Sequence, residues 1–192
     1  AIRPAVDART AILPVLNGLS HVETLAKTFG PDRVLGGLAK IQATLAPDGT
    51  FWMHEHGAQG GDEINLPQPG KNYGWPQVSF GINYDGTPIG TGRSSQPGME
   101  PPLHHWTPSI APSGMAFLTS DRYGAAWQGN LFVGALKFQV LERIELKDGR
   151  VVAEHRLLED LGERIRDVRQ GPDGLLYVLT DSASGRLIRL QP

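Results

Sequence analysis

The sequence predicts a mainly β fold of short, repeated strands, introduced by a brief α/β segment. Three observations carry this reading. Glycine (24) and proline (15) make up about a fifth of the 192 residues, a density of turn formers that favours many short strands over a helical bundle. From residue 51 onward helical patterning gives way to brief apolar and aromatic runs. A glycine followed by such a run also recurs, at Gly49-Thr50-Phe51-Trp52, Gly129-Asn130-Leu131-Phe132-Val133 and Gly174-Leu175-Leu176-Tyr177-Val178. These glycines stand 80 and 45 residues apart, or in steps of about 40–45 with one copy hidden, the period of a propeller blade of four strands.

The elements follow in order. Thr10–Leu16 is a short apolar run closed by the turn pair Asn17-Gly18. Ser20, with Glu23 three residues on, reads as a capping box opening a helix over Ser20–Phe29. Val22, Leu25 and Phe29 line one face of that helix, and Gly30-Pro31 stops it. A β-like run, Arg33–Leu45, is broken at Gly36-Gly37, so the first fifty residues read as strand–helix–strand. Beyond them strands are expected at Phe51–Met53, Ala116–Thr119, Asn130–Gly134, Val140–Leu146, Val151–Leu157, Leu175–Thr180 and Arg186–Leu190. Leu66–Glu100, dense in Gly, Pro and Asn, reads as one long loop, and loops of that length in compact folds usually carry function.

Composition removes several classes of function. The net charge of −2 gives no electrostatic case for nucleic acid or an anionic membrane. With no cysteine, a disulfide scaffold, a thiolate metal site and a cysteine nucleophile are excluded. No window approaches the ~18 consecutive apolar residues of a membrane span, and no basic start leads into an apolar run, so no signal peptide is expected. The first residue is Ala1, which suggests a processed or excised piece.

The chemistry concentrates in His54-Glu55-His56-Gly57-Ala58-Gln59-Gly60-Gly61-Asp62-Glu63-Ile64-Asn65. Two histidines two apart on a strand face the same side and could meet one transition-metal ion. Equally, each could hydrogen-bond within a loop. Asp62 and Glu63 suit calcium, which takes carboxylate and carbonyl oxygens, and the glycines let the backbone turn its carbonyls or amides inward. The alternating Asp/Asn spacing of an EF-hand is missing.

These residues resemble a family. Glu55 to Asn65, then Pro69-Gly70-Lys71-Asn72-Tyr73-Gly74-Trp75-Pro76, then Gly81-Ile82-Asn83-Tyr84-Asp85-Gly86-Thr87-Pro88-Ile89 are similar to soluble PQQ-dependent aldose sugar dehydrogenases. The likeness continues, in order, through Trp106 to Gly114, Trp127 to Lys137 and Arg164 to Gly174, and so covers about residues 46–192. It implies a β-propeller of the six-bladed type, with pyrroloquinoline quinone and calcium at one end of the central channel. At about 42 residues per blade, the matched stretch encodes three to three and a half blades. By the resemblance, the carbonyls of Gly57 and Ala58 hold the calcium that sits on the cofactor, and Glu63 with the carbonyl of Tyr73 forms a second, structural calcium site. Lys137, Arg164 and Arg166 contact the cofactor, and Trp106 is an aromatic at the active-site rim. A tricarboxylate quinone suits two guanidinium forks and an ammonium, and Arg164 and Arg166, two apart on an extended segment, can point the same way.

The family's proton-abstracting histidine lies in N-terminal blades that have no counterpart here, and none of His54, His56, His104 or His105 occupies its position. The catalytic residue is therefore unassigned. Residues 1–49 are similar to a different family. Ala1-Ile2-Arg3-Pro4-Ala5, Thr10 to Gly18 and Phe29 to Gly37 resemble the later part of the nucleotide-binding domain of ketopantoate reductases, without the phosphate loop or the catalytic lysine. The likenesses meet at Pro47-Asp48-Gly49-Thr50, so the chain reads as a chimera with an α/β segment over 1–49 and propeller blades over 50–192. The resemblance implies oxidation of the C1 hydroxyl of aldoses to lactones, weak or absent in this chain alone; the family is typically periplasmic, but with no signal peptide expected here the location is unassigned. The alternative is a non-catalytic assembly or binding protein. Open end blades would leave apolar faces bare, so a homo-oligomer is expected, most simply a dimer closing a ring.

Overall fold

The computed structural model describes residue 7 and residues 10–14, 20–35 and 41–192. The N-terminal segment forms the expected helix α1, Ser20–Phe29. Val22, Leu25, Ala26 and Phe29 are half-buried, while Glu23, Thr24, Lys27 and Thr28 are exposed, as an apolar stripe of helical period requires. Gly30, at φ 98°, ends it and donates its amide to the Ala26 carbonyl. Ile12 and Val34 form a parallel bridge around the helix, the pairing that a strand–helix–strand unit makes. The Asn17-Gly18 turn, the Gly36-Gly37 break and the Ser20 side chain of the capping box lie outside the described residues.

The remainder is β-structure in three antiparallel sheets. The first contains β1 (Ile41–Leu45), β2 (Phe51–Glu55), β3 (Asp62–Asn65) and β4 (His104–Trp106). The second contains β5 (Pro112–Phe117), β6 (Leu131–Ala135), β7 (Leu141–Lys147) and β8 (Arg150–Leu157), and the third β9 (Ile165–Gln170), β10 (Leu176–Thr180) and β11 (Leu187–Arg189). Each sheet is a meander in chain order. Of the first strands, β1 lies against β5 and β5 against β9, so the sheets radiate from them as propeller blades do.

The middle sheet is buried on both faces, and strand alternation explains how. Met115, Phe117, Leu131, Val133 and Ile144 turn toward the first sheet and pack with Trp52, Ile64 and Trp106. Ala116, Leu118, Phe132 and Leu141 turn the other way, onto Ile165, Val168, Leu176 and Val178 of the third sheet. With period 2, an uninterrupted apolar run such as Leu131-Phe132-Val133 fills two seams at once.

The glycine repeat marks one turn in every sheet. Gly49, Gly129 and Gly174 each precede the second strand of a sheet and adopt φ of 84°, 83° and 78°. The 80-residue gap between the first two hides no further copy. It holds the long loop between β3 and β4, which contributes only isolated bridges at Gln59–Ile82 and Ile82–Pro88. Strand β1 lies before residue 49 and pairs residue for residue with β2, Leu45 opposite Phe51; the Pro47–Thr50 turn is thus the loop of one hairpin.

Candidate calcium and cofactor end of the sheets

The loop joining β2 to β3 is fixed by one carboxylate. Asp62, fully buried, accepts from the Gly57 amide at 2.7 Å through Oδ1. Its Oδ2 accepts from Ser109 Oγ at 2.7 Å, the Ile110 amide at 2.8 Å and the Ala111 amide at 3.0 Å. Four donors saturate it, so Asp62 positions the loop and is not available as the calcium ligand the sequence suggested. The far side of the loop is pinned by the Gly61 amide on the Trp106 carbonyl (2.8 Å) and the Gln59 amide on the Ile82 carbonyl (3.0 Å). A side chain at Gly57 has no room: its Cβ would stand 1.9 Å from the Gly60 carbonyl oxygen. Held this way, the carbonyls of Gly57 and Ala58 accept no hydrogen bond among the described residues.

The histidines take the plainer of their two readings. His54, 2% exposed, meets the Ser113 carbonyl through Nε2 at 2.5 Å, and His56 meets the Pro112 carbonyl at the same distance. A carbonyl only accepts, so each Nε2 carries the proton and donates. Burial pushes the His54 imidazole down to about 4, so the ring is neutral at ordinary pH. The carbonyls they use sit where a bulge interrupts the β5–β6 ladder. Among the described residues no three His, Asp or Glu side chains are arranged to hold one metal ion, and a zinc site through His54 and His56 is not formed.

Beside this loop lies a pair of carboxyls. Register places Glu55 opposite Glu63, and the Asn65 amide nitrogen donates to Glu55 Oε1 at 3.0 Å and to Glu63 Oε2 at 3.2 Å. Burial, with Glu55 next to it, pushes Glu63 up to about 7; burial also raises Glu55. Asn65 Oδ1 is buried with no partner among the described residues. Glu55, Glu63 and Tyr73 line one pocket with His56, Gly57 and Trp75, and the Tyr73 carbonyl accepts no hydrogen bond among the described residues. Two buried carboxyls, of which Glu55 raises Glu63, and an unused carbonyl give the pocket oxygen donors, a set that fits calcium. Glu55 was missed from sequence, because only the strand register brings it to Glu63.

The remaining candidates are divided. Lys137 is exposed, and its amide donates to the Ile110 carbonyl at 3.0 Å, which joins it to the loop that Asp62 holds. Arg164 and Arg166 flank buried Ile165 at the start of β9, both exposed. Register there passes from Ile165–Thr180 to Asp167–Leu179, so Arg166 is the extra residue of a bulge. The simple alternation assumed for the two arginines is therefore broken at the position where bulges commonly re-aim a side chain. Arg164 pairs with Asp181 at 3.1 Å with both groups about half exposed, a contact weak enough to be exchanged for a ligand. Trp106, expected at a rim, lies 4% exposed in the core between the first and second sheets; it is its carbonyl that meets the loop.

Three blade-like sheets with an oxygen-lined loop end define part of a β-propeller that is suited to a hard cation. Residues 37–189 match the family described as Glucose / Sorbosone dehydrogenase, and the chain belongs to that family. Residues 1–65 also match Ketopantoate reductase PanE/ApbA. The chain is 50% identical over 143 residues to aldose sugar dehydrogenase YliI of Escherichia coli (strain K12), covering 74% of this chain and 38% of that one. The solved apo-form of the soluble aldose sugar dehydrogenase from Escherichia coli superposes with a TM-score of 0.75 at 46% identity, over 81% of this chain and 46% of the other. The PQQ-bound aldose sugar dehydrogenase from Streptomyces coelicolor gives 0.59 at 25% identity, over 79% and 42%. The chain thus spans less than half the length of these relatives.

Proposed function

We propose that this chain supplies the calcium- and PQQ-binding half of an aldose dehydrogenase site. The observation that carries the reading is the loop Gly57–Gly61, clamped by Asp62 with two carbonyls unused, beside a pocket that Glu55, Glu63 and Tyr73 help to line. Gly57 and Ala58 would hold a calcium ion through these carbonyls, and Glu63 with the Tyr73 carbonyl a second one. Lys137, Arg164 and Arg166 would bind the carboxylates and quinone oxygens of PQQ by charge-assisted hydrogen bonds. Bound PQQ supplies a hydride acceptor for C1 of an aldose. This chain's own groups bind and orient, and no histidine among its motifs stands in for the family's base. A titration with PQQ and calcium, read by absorbance and by dye reduction with glucose, tests the reading. Calcium-dependent PQQ binding with turnover absent or very slow is expected, since loss of a general base costs about 10²–10⁴-fold. Failure of PQQ to bind removes it.

The alternative, a non-catalytic assembly, draws on a different observation. Large apolar side chains are bare at both ends of the arc: Leu45 is 65% exposed on the first sheet, and Leu179 and Leu187 are 43% and 70% exposed on the third. Leu179 and Leu187 are cross-strand partners, so they form one patch. A second copy of the chain would cover these faces and close a ring of six sheets about a twofold axis. Light scattering after size exclusion decides it: a dimer is expected, and a monomer of 20.8 kDa that persists at high concentration sinks the closure argument.

A further inference from the structure

A second group of ionisable side chains lies in the seam between the first and second sheets, away from the candidate calcium ligands. Val140, Glu142 and Ile144 alternate onto the same face of the second sheet, and Val140 and Ile144 belong to the apolar cluster of that seam. Glu142 is fully buried among them, and among the described residues neither of its carboxyl oxygens has a hydrogen-bond partner. Glu154, opposite Ile144 on β8 and so diagonal to Glu142 on the same face, is held in turn by His104 Nε2 of β4 at 3.0 Å. Arg156 Nε stands 3.3 Å from Glu142 Oε1 without closing a hydrogen bond, its side chain 46% exposed. From β4 the Trp106 indole N–H lies on the Glu154 side, with no hydrogen bond closed among the described residues. Lys137 is the other cation nearby, over the Phe138 ring that Arg156 also overlies. Arg143 and Glu145 occupy the opposite register and serve Trp127 and His155.

An ionised carboxylate in an apolar seam is costly when the cation beside it, Arg156, is half exposed and closes no hydrogen bond, and more so beside a second anion. A protonated one has a hydrogen to give, and Glu154 can accept it while His104 holds its other side. We infer that Glu142 and Glu154, neighbours on the face of the second sheet that meets the first, share one proton, and that this pair with His104 of β4 forms a joint between the two sheets that is closed below neutrality and loosens as the pH rises past it. Burial and the neighbouring Glu154 push Glu142 up to about 7. Burial opposes ionisation of Glu154 too, but the His104 contact holds it below the usual carboxylate range, so the proton resides on Glu142. Because Arg156 and Lys137 share Phe138, a change in Glu142 is felt next to a residue proposed to bind the cofactor.

The sign follows from proton counting. Between pH 4.5 and about 7 the folded chain holds a proton on Glu142 that the unfolded chain has released, so this group's stabilisation is lost as the pH rises through that window. The test compares the melting temperatures of wild type and Glu142→Gln from pH 5 to 8.5, since a glutamine keeps a donor toward Glu154 without titrating. The two are expected to match near pH 5 and to separate by several degrees in favour of the variant by pH 8. Parallel curves overturn the joint. Should the variant not fold, carbon-13 NMR of the wild-type glutamate carboxyls decides: a carboxyl of the Glu142–Glu154 pair titrating near neutrality, moved down by Glu154→Gln, supports the shared proton. All glutamate carboxyls other than Glu55 and Glu63 titrating below pH 5 refutes it.

Discussion

The Gly57 amide donates to Asp62 Oδ1 at 2.7 Å, and through the other oxygen of that carboxylate the loop is tied to Ser109, Ile110 and Ala111 of the next connection. One side chain thus fixes both the backbone proposed to hold calcium and the loop that leads into the second sheet. Asp62→Ala leaves four donors without their acceptor. It should cost about 3–5 kcal/mol, the penalty of breaking a buried charged network. Urea unfolding measures it, and a loss under 1 kcal/mol would show that the hub is dispensable.

Gly57→Ala asks whether the loop's shape is what binds the ion. The added methyl would collide with the Gly60 carbonyl, so the loop must move while the sheets remain. The calcium-dependent rise in melting temperature should vanish, beside a loss of about 1–3 kcal/mol in the ion-free protein from the overpacked loop. An unaltered calcium response would place the ion elsewhere.

Calcium, at concentrations about 100-fold above its dissociation constant, should stabilise the chain by about 2.7 kcal/mol through mass action. Glu63→Gln removes one charged ligand and should reduce this increment. Zinc should not reproduce it, because both candidate histidines already donate to carbonyls. A zinc response without a calcium response would reverse the assignment.

His54 makes the fold sensitive to acid. Its folded value, about 4, lies below the ordinary 6.5, so as the pH falls from 6.5 to 4 the unfolded chain takes up a proton that the folded chain refuses. Up to roughly 3 kcal/mol is lost across that window. Glu63 and Glu142, both raised to about 7, gain stability on acidification, so the effect is read as a difference. His54→Gln should flatten the acid limb relative to wild type between pH 6.5 and 4; identical slopes would mean that the ring protonates in the folded state.

Gly114 tests the approach of the second and third sheets. A Cβ there would stand 2.0 Å from Asp167 Oδ1 and 2.5 Å from its Cα, with backbone unable to yield. Gly114→Ala should destabilise by at least about 1–3 kcal/mol, the usual cost of overpacking, and thermal unfolding reads it directly.

Strands with apolar alternation were legible in the sequence to within a few residues, and helix α1 to the residue. Three strands were not, each for its own reason. β3, Asp-Glu-Ile-Asn, buries its polar side chains in hydrogen bonds, so no hydrophobic pattern marks it. β4 is three residues long. In β9 the bulge at Arg166 puts the buried Ile165 and Val168 three apart, the wrong period for a strand. The Gly57–Glu63 cluster was visible as composition, but which carboxylate positions the loop and which faces a pocket depends on pairing across the sheet. Asp62 and Glu63 are adjacent in sequence and opposite in role because successive strand residues face opposite sides.

The two-sided middle sheet also sets a timetable for biosynthesis. The cover over Phe132 and Leu141 is not complete until Leu176 and Val178 of β10 exist, roughly forty residues later, which at 5–20 residues per second is a delay of some two to eight seconds. During that interval the nascent chain presents Leu131-Phe132-Val133 as an apolar strand with one side packed and the other bare, the kind of segment that chaperones shield and that pairs with its own kind when it is not shielded. Yield on expression should therefore depend on translation speed through residues 140–180 more than on the final stability of the fold.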